Sequence, residues 1–207
     1  MSLFITFEGG EGCGKSVQAR TLYDRLLKSR IPVVLTYEPG GTPIGDEICR
    51  LLKWNDDAGI TPLTELFLFN ASRSQLVGEV IKPNLEKGKI VICDRFTDST
   101  TIYQGYGRGL NLGLVSKINS TATQGLKPNL TILLDLAVEE GLTRKQTEKQ
   151  DRFEKEGIAF HEKVRQGYLK LAAEEPERWL VIDANQSKEE IADVIWQKVS
   201  QLLHRGI

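Results

Sequence analysis

The chain has 207 residues, of which 40% are hydrophobic and 27% are charged, and its formal net charge is −1. This balance indicates ordinary globular structure and excludes a disordered or fibrous chain, and it gives no reason to expect nucleic acid or an anionic membrane as a partner. The apolar runs are too short to span a membrane, and three scattered cysteines with two histidines provide neither a disulfide framework nor a zinc site, so we expect a cytoplasmic protein.

A glycine-rich segment follows the first predicted strand, residues 3–7. It fits the phosphate-binding pattern G-x-x-x-x-G-K-[ST] with Gly9, Gly10, Glu11, Gly12, Cys13, Gly14, Lys15 and Ser16. In such a loop, backbone N–H groups surround a phosphate, the lysine reaches the β- and γ-phosphates, and the serine hydroxyl binds Mg²⁺. Residues 15–28 then predict a helix whose N-terminus faces the anion and whose apolar side chains are Val17, Leu22, Leu26 and Leu27. The segment therefore predicts binding of a nucleoside triphosphate.

Strands and helices alternate along the rest of the chain. The further predicted strands are residues 33–37, 90–93, 130–134 and 179–182. Helices are expected at 44–52, from the cap Thr61 through Val77, before Gly88, from the cap Asn111 to about Gly125, at 138–150, at 160–171, and from the capping box of Ser187 and Glu190 through Leu202. Because the strands are almost entirely apolar, this order predicts an α/β three-layer P-loop fold, with a five-stranded parallel sheet and helices on both faces. No Pro/Gly/Ser-rich linker divides the chain, so we expect one domain over residues 1–207.

A carboxylate directly follows each predicted strand: Glu8, Glu38, Asp94, Asp135 and Asp183. Ligands of open parallel sheets bind at the carboxyl ends of the strands, so these residues should lie around the site. Capping of the following segments is the more common role for Asp135 and Asp183. Asp94 is instead expected to hold Mg²⁺ or its water shell together with Ser16, and Glu8 could also serve the metal.

The residues after the second and third strands are suited to a second nucleotide. Beside the rigid loop Glu38-Pro39-Gly40-Gly41-Thr42, this part of the chain offers Arg50, Phe69, Arg73, Arg95, Ser99, Thr100, Tyr103 and Gln104. An aromatic ring can stack on a base, and arginines can bind its phosphate. Taken singly, Phe69 would more often be a core residue and Arg73 a surface arginine. Their spacing of four residues on one helix face favours a joint role.

The polar segment after the fourth strand is a candidate lid over residues 141–155. Phosphoryl transfer requires cations at the migrating group, whereas the variable positions of the glycine-rich loop contribute an acid, Glu11. Arg144, Lys149 and Arg152 could supply this charge when the segment closes over the site. The alternative is that these basic residues, interspersed with nearly as many acids, form a solvated helix face.

Cys13 lies inside the glycine-rich loop. A helix N-terminus and the neighbouring Lys15 favour a thiolate there, whereas the negative charge of Glu11 disfavours one. We expect Cys13 to be the most readily alkylated of the three thiols in the empty site, and Cys93 to be slow because it ends a buried strand. A buried and inert packing residue is the alternative interpretation of Cys13.

Five ordered motifs make the chain similar to bacterial thymidylate kinases over essentially its whole length. They are Phe7-Glu8-Gly9 with Gly14-Lys15-Ser16, Glu38-Pro39-Gly40-Gly41-Thr42, Asp94-Arg95 with Asp98-Ser99, Tyr103-Gln104-Gly105 with Gly107-Arg108-Gly109-Leu110, and Asp151-Arg152-Phe153-Glu154. The resemblance implies a homodimer that transfers the γ-phosphoryl group of ATP to dTMP, giving dTDP for dTTP synthesis, with Mg²⁺ as cofactor. Two departures, Val17 where Thr is common and Phe96 where Tyr or His is common, are expected to have little consequence.

The resemblance also implies roles by position. Arg50 and Arg95 would bind the dTMP phosphate. Phe69 would stack on thymine, and Arg73 would donate a hydrogen bond to its O4. Thr100 and Gln104 would face the rest of the base edge, while Tyr103 would contact the sugar and Glu11 would approach the 3′-hydroxyl. The substrate site would also include Glu38, Pro39 and Ser99, and the catalytic residues would be Lys15, Arg95, Arg152 and Glu11.

Other functions of a phosphate-binding loop require different residues. A GTPase would need Asn-Lys-x-Asp after a strand, whereas residues 148–151 lack the asparagine and lie in the candidate lid. Residues 56–59 mimic a GTPase switch motif but follow no strand. A Rossmann dehydrogenase would need its third glycine where Lys15 stands. A non-catalytic nucleotide sensor would keep the loop but need not keep Asp94 and Arg95. A kinase of another nucleoside monophosphate remains open, since composition and spacing do not identify the base.

Overall fold

The structure is a computed structural model that describes residues 2–54, 59–145 and 150–205. Within these residues, five strands form one parallel sheet in the order β2-β3-β1-β4-β5. The strands are β1 Leu3–Glu8, β2 Val33–Tyr37, β3 Ile90–Asp94, β4 Leu130–Asp135 and β5 Trp179–Asp183. The register pairs Phe7 with Asp94 and Tyr37 with Asp94, so the carboxyl ends of the central strands meet at one edge. The predicted five-stranded parallel sheet is confirmed.

Helices connect the strands in the predicted order. They are α1 Lys15–Lys28, α2 Pro43–Trp54, α3 Pro62–Leu76, α4 Lys82–Glu86, α5 Thr97–Thr100, α6 Leu112–Thr123, α7 Val138–Lys145, α8 Ile158–Glu174 and α9 Lys188–Arg205. Three predicted caps are confirmed: Thr61 accepts from the Thr64 N–H, Asn111 accepts from the Leu114 N–H, and Ser187 and Glu190 form a reciprocal capping box. Among the described helices, none combines the length and apolar character needed to cross a membrane.

Apolar side chains pack on both faces of the sheet. On one face, Ile5 of β1 packs in a cluster with Leu22 of α1 and Ile195 of α9. On the opposite face, the preceding residue, Phe4, packs with Leu76 at the end of α3. Successive side chains of a strand point to opposite faces, so a continuously apolar strand supplies both layers. The predicted three-layer arrangement is therefore confirmed.

Three predicted helices differ in detail. Val17 and Leu27 of α1 are each 47% exposed, because the helical period turns Leu22 and Leu26 to the sheet instead. The helix predicted to continue through Val77 becomes π-helical over Val77–Ile81, since Pro83 has no N–H to donate to the preceding turn. The helix predicted over 138–150 ends at Lys145, and residues 146–149 lie outside the described residues.

Candidate active site

The glycine-rich loop turns tightly at the carboxyl end of β1. Gly9, Gly12 and Gly14 have φ angles of 142°, 69° and 91°, which residues with a Cβ rarely adopt. A Cβ on Gly12 would overlap the carbonyl oxygen of Gly141 in α7. The loop is therefore packed backbone against backbone on the helix that begins the candidate lid.

The two functional side chains of the loop lie close to their expected partners. Lys15 is 7% exposed, and its Nζ donates to the carbonyl oxygen of Gly10 at 2.5 Å. Ser16 Oγ donates to Asp94 Oδ2, which connects the start of α1 to the end of β3. The hydroxyl and the carboxylate that were predicted to hold Mg²⁺ are thus in direct contact.

A cleft of about 940 Å³ lies beside this loop, a volume typical of small-molecule sites. It is lined by most of the predicted site residues: Glu11, Gly12, Cys13, Gly14, Lys15, Ser16, Glu38, Pro39, Phe69, Arg73, Asp94, Arg95, Ser99, Thr100, Tyr103 and Gln104. The lining does not include the predicted residues Glu8, Gly9, Gly10, Arg50 and Arg152. The structure therefore brings the loop and most of the expected acceptor site into one cleft.

Arg95 lies between the loop and the acceptor site. Its φ of 69° is left-handed, which is uncommon outside glycine and concentrates at functional sites. Its Nη2 donates to Glu11 Oε1 at 2.7 Å, and the Tyr103 hydroxyl donates to the same oxygen at 2.7 Å. Burial raises the pKa of Glu11, but the charges of Arg95 and Lys15 outweigh it and bring that pKa to about 2. Glu11 is therefore an ionised anchor for Arg95 and Tyr103.

Glu8 has a different environment from the one that its position in the sequence suggested. The side chain is fully buried, Oε1 accepts from the Phe96 N–H at 2.8 Å, and Oε2 accepts from Ser99 Oγ at 2.6 Å and from the Tyr168 hydroxyl at 2.8 Å. Burial and the charge of Asp98 raise the pKa of Glu8 to about 7, against the opposing Ser99 hydrogen bond. Both oxygens of Glu8 accept from protein donors, so its contacts favour a structural role, and the expected metal role stays a prediction.

Tyr168 belongs to this site although the sequence did not predict it. The helical period of α8 marked it only as an apolar position, yet its hydroxyl lies 2.9 Å from Ser99 Oγ and 3.4 Å from Arg95 Nη1. A tyrosine on the apolar face of a helix, where its hydroxyl needs a partner, is the signal that could have identified it. Burial raises the pKa of Tyr168 well above its ordinary value, so the hydroxyl stays protonated and donates to Glu8.

Arg73 is enclosed by protein acceptors. It is 1% exposed, and its five N–H groups are directed at Glu38 Oε2, Asn70 Oδ1, Asn119 Oδ1, the Phe96 carbonyl oxygen and Thr100 Oγ1. Burial raises the pKa of Glu38 to about 6 even though Arg73 opposes the shift, and none of the described residues donates a hydrogen bond to Glu38 Oε1. The five N–H groups of Arg73 are thus directed at protein acceptors although the residue lines the cleft, and its expected hydrogen bond to thymine O4 stays a prediction.

Arg152 is bound away from the cleft. Its Nη2 donates to Glu65 Oε2 at 2.6 Å and its Nε donates to the Leu52 carbonyl oxygen at 3.0 Å. These bonds join the second part of the candidate lid to α2 and α3, so Arg152 does not line the cleft in this structure, and its catalytic role stays a prediction. Arg144 and Lys145 of α7 line the cleft instead, and Lys149 lies outside the described residues.

Arg50 is also directed away from the cleft. Its side chain is 64% exposed and pairs with Glu47 one turn earlier on α2. Arg50 therefore does not line the cleft in this structure, and its contact with the dTMP phosphate stays a prediction. Lys53, which was missed, lines the cleft, and its Nζ lies 3.6 Å from Asp151 Oδ2. Its spacing of four residues from Cys49, another lining residue, could have placed it on the same helix face.

The buried thiols of Cys13 and Cys93 and the two remaining strand-end carboxylates contact other protein groups. Cys13 is 3% exposed and its Sγ donates to the Gly10 carbonyl oxygen, which favours the packing interpretation over the expected reactive thiol. Burial raises the pKa of Cys93 well above its ordinary value, which agrees with a slow thiol. Asp183 accepts from the Asn185 N–H as a cap, whereas Asp135 forms a two-point ion pair with Arg165 at 2.7 and 2.9 Å.

Comparisons with known proteins agree with this arrangement. A sequence model of the thymidylate kinase family matches residues 7–195. The chain is 58% identical over 203 residues to a thymidylate kinase of Dehalococcoides mccartyi, with 98% of each chain covered, and 47% identical over 213 residues to one of Geotalea uraniireducens, with both covered completely. The fold matches the crystal structure of thymidylate kinase from Ehrlichia chaffeensis with a TM-score of 0.78 at 33% identity, over 96% of this chain and 98% of that one. The chain therefore belongs to the thymidylate kinase family.

Proposed function

We propose that this protein transfers the γ-phosphoryl group of ATP to dTMP, giving dTDP and ADP, with Mg²⁺ as cofactor. The observation that carries the proposal is the composition of the cleft, which joins the phosphate-binding loop to Phe69, Thr100 and Gln104. ATP would lie with its triphosphate on the loop, and dTMP would lie with its base against Phe69. The two substrates would then meet beside Arg95.

Arg95 would bind the phosphate of dTMP and orient it toward the γ-phosphoryl group. Its guanidinium is 2.7 Å from Glu11 of the loop and 3.2 Å from Ser99 on the acceptor side, so it lies where the two nucleotides would join. Lys15 would contact the β- and γ-phosphates from inside the loop. Glu11 would hold Arg95 and Tyr103 in place near the phosphate and sugar of dTMP.

The positive charge at the migrating group would come from α7. The close approach of Gly12 and Gly141 anchors α7 on the loop, and Arg144, one turn farther along, lines the cleft. Arg144 pairs with Glu140 on its own helix, and exposed pairs of this kind are weak enough to exchange for a phosphate. Arg144 thus takes the role that the sequence suggested for Arg152.

The residues present fit a bound Mg²⁺. Ser16 Oγ and Asp94 Oδ2 are already in contact, and hard oxygen ligands of this kind suit the ion. Magnesium usually keeps several waters and shares the substrate phosphates with one or two protein oxygens. Ser16 and Asp94 would hold it at the loop, where the ion would neutralise charge on the phosphate oxygens.

A homodimer is part of the proposal. Helices α3 and α6 are in contact, and they leave four large apolar side chains 41–53% exposed: Leu63, Phe67, Leu112 and Leu114. Single exposed apolar residues are ordinary, but several on adjacent helices are typical of an interaction surface. The mass in solution, measured by light scattering, should be twice that of the 23.2 kDa chain and should fall to one chain in Phe67→Glu.

The reaction is tested by ADP release against a panel of nucleoside monophosphates. We expect dTMP to exceed dUMP in kcat/KM by roughly tenfold, since one methyl group contributes little discrimination. The kcat/KM for dTMP should exceed that for dCMP by orders of magnitude. Thymine has a donor at N3 and an acceptor at O4, whereas cytosine has an acceptor at N3 and a donor at its amino group. Comparable turnover of dCMP or dGMP would favour the alternative, a kinase of another nucleoside monophosphate.

A further inference from the structure

Glu65 and Gln104 form a buried hydrogen bond behind the acceptor site. Each residue is 1% exposed, and Gln104 Nε2 donates to Glu65 Oε1 at 2.7 Å. Glu65 also accepts from Arg108 Nε at 3.3 Å and from Arg152 Nη2 at 2.6 Å. A carboxylate surrounded by two guanidinium groups can only accept, so the side of the Gln104 amide that faces it must be the NH₂ group.

The opposite side of the amide is therefore its carbonyl oxygen. Among the described residues, none donates a hydrogen bond to Gln104 Oε1. This oxygen is nevertheless not a fully buried atom left without a partner. Gln104 lines the cleft, so Oε1 is open to it as an acceptor. An amide that could rotate by 180° would offer a donor equally well, but the bond to Glu65 holds it in one orientation.

Thr100 offers a hydrogen-bond donor to the cleft, whereas Gln104 offers an acceptor. Its Oγ1 accepts from Arg73 Nη2 at 2.8 Å, and it lines the cleft beside Gln104. With the oxygen engaged by a guanidinium, and with no described residue accepting from the hydroxyl, the hydrogen of Thr100 is available to a ligand. Arg73 thus acts on the base edge through Thr100.

We infer that Glu65 is a positioning residue for base specificity: acting through Gln104, it makes the cleft require a ring N–H next to a carbonyl oxygen. Thymine offers this order, because its N3–H can donate to Gln104 Oε1 and its O4 can accept from Thr100. Cytosine has an unprotonated N3 and an amino group, so it would set acceptor against acceptor and donor against donor. This inference rests on the proposed function and adds the source of its selectivity.

The test compares Glu65→Gln with a matched control, Glu156→Gln. A glutamine at position 65 can donate as well as accept, so it no longer fixes the Gln104 amide. We expect the ratio of kcat/KM for dTMP over dCMP to fall by about tenfold or more, because the penalty for an unpaired buried group disappears for cytosine. The change should appear mainly in KM, with kcat at saturating dTMP nearly retained. Glu156 accepts from Arg108 at 2.5 Å without touching Gln104, so its variant should keep the ratio within about twofold.

Gln104→Met is a second variant for the case in which Glu65→Gln does not fold. It removes the amide, keeps the side-chain length and leaves Glu65 paired with both arginines, so it should lose the same discrimination. The inference is overturned if a folded Glu65→Gln or Gln104→Met keeps the wild-type ratio, or if Glu156→Gln lowers the ratio equally. A wild-type protein that does not prefer dTMP would instead contradict the proposed function before any variant is measured.

Discussion

The two halves of the cleft are built in different ways. The phosphate-binding half is one continuous segment, residues 9–16, and its shape depends on backbone angles at glycines. The acceptor half joins side chains that are far apart in the chain: Arg73 donates to Glu38 and to Asn119, which are 35 and 46 positions away. One half is therefore a local structure, whereas the other exists only in the folded protein.

This difference divides the cations of the protein into two kinds. Lys15 and Arg95 line the cleft beside the loop. Arg73, which also lines the cleft, and Arg152 are paired with the almost fully buried carboxylates Glu38 and Glu65. Glu11, the partner of Arg95, is partly exposed. Substitutions of the first kind should reduce the rate while the fold is retained. Substitutions of the second kind should first reduce stability or base discrimination.

The largest effect is expected for Arg95→Ala. Removing this guanidinium should lower kcat/KM by about 10³–10⁵-fold, because a positioned arginine contributes that much to phosphoryl transfer. The dTMP affinity should fall as well, since Arg95 would bind the ground-state phosphate. Steady-state kinetics with Arg95→Lys as control separate the effect of the positive charge from that of bidentate hydrogen bonding. Arg95→Lys should recover only part of the activity that Arg95→Ala loses. A loss of less than tenfold in kcat/KM for Arg95→Ala would contradict the proposed binding of the dTMP phosphate by Arg95.

Arg73→Met should instead act on stability. It leaves Glu38 buried without its partner, and breaking a buried ion pair from one side costs about 3–5 kcal/mol in the free energy of unfolding. Denaturant unfolding measures this cost. The double variant with Glu38→Gln should regain much of it, because no buried charge remains. An Arg73→Met protein as stable as the wild type would contradict this division of the cations.

The two arginines of the candidate lid provide a direct comparison. Arg144→Ala should lower kcat by about 10²–10³-fold with little change in dTMP binding, as expected for a donor used in the transition state. Arg152→Ala should change kcat much less and should lower the thermal unfolding temperature, since it frees Glu65 and the Leu52 carbonyl oxygen. The reverse pattern, with the larger kcat loss in Arg152→Ala, would restore the interpretation made from the sequence.

The smallest effect concerns Glu8 and pH. Its pKa rises from an ordinary value of 4.5 to about 7 in the folded protein, so between these values the unfolded chain releases a proton that the folded protein keeps. The stability that this protonation contributes is present at low pH and is lost as pH rises through about 7. The side chain of the Glu8→Gln variant does not titrate. The free energy of unfolding of this variant, relative to that of the wild type, should therefore increase by about 2 kcal/mol from pH 4.5 to pH 7. Parallel pH profiles of the two proteins would show that Glu8 keeps its ordinary pKa.

Local features of the fold could be predicted from the sequence. The five strands, the caps at Thr61 and Asn111, and the capping box of Ser187 and Glu190 all follow from residues within a few positions of one another. The glycine-rich loop belongs to the same class, because its geometry depends on which residues lack a Cβ. Such features form wherever the chain has the right order of residues, so the order is sufficient to predict them.

Only the tertiary structure decided which charged side chains are free. The positions of Arg50, Arg73 and Arg152 in the sequence are equally consistent with binding a phosphate or a base, and the structure directs all three to carboxylates of the protein. Arg152 meets Glu65 across 87 positions of the chain, and Tyr168 meets Glu8 across 160. Whether a guanidinium or a hydroxyl keeps a hydrogen-bonding group for a ligand depends on which protein acceptors lie within about 3 Å of it, and those distances are set by how distant segments pack.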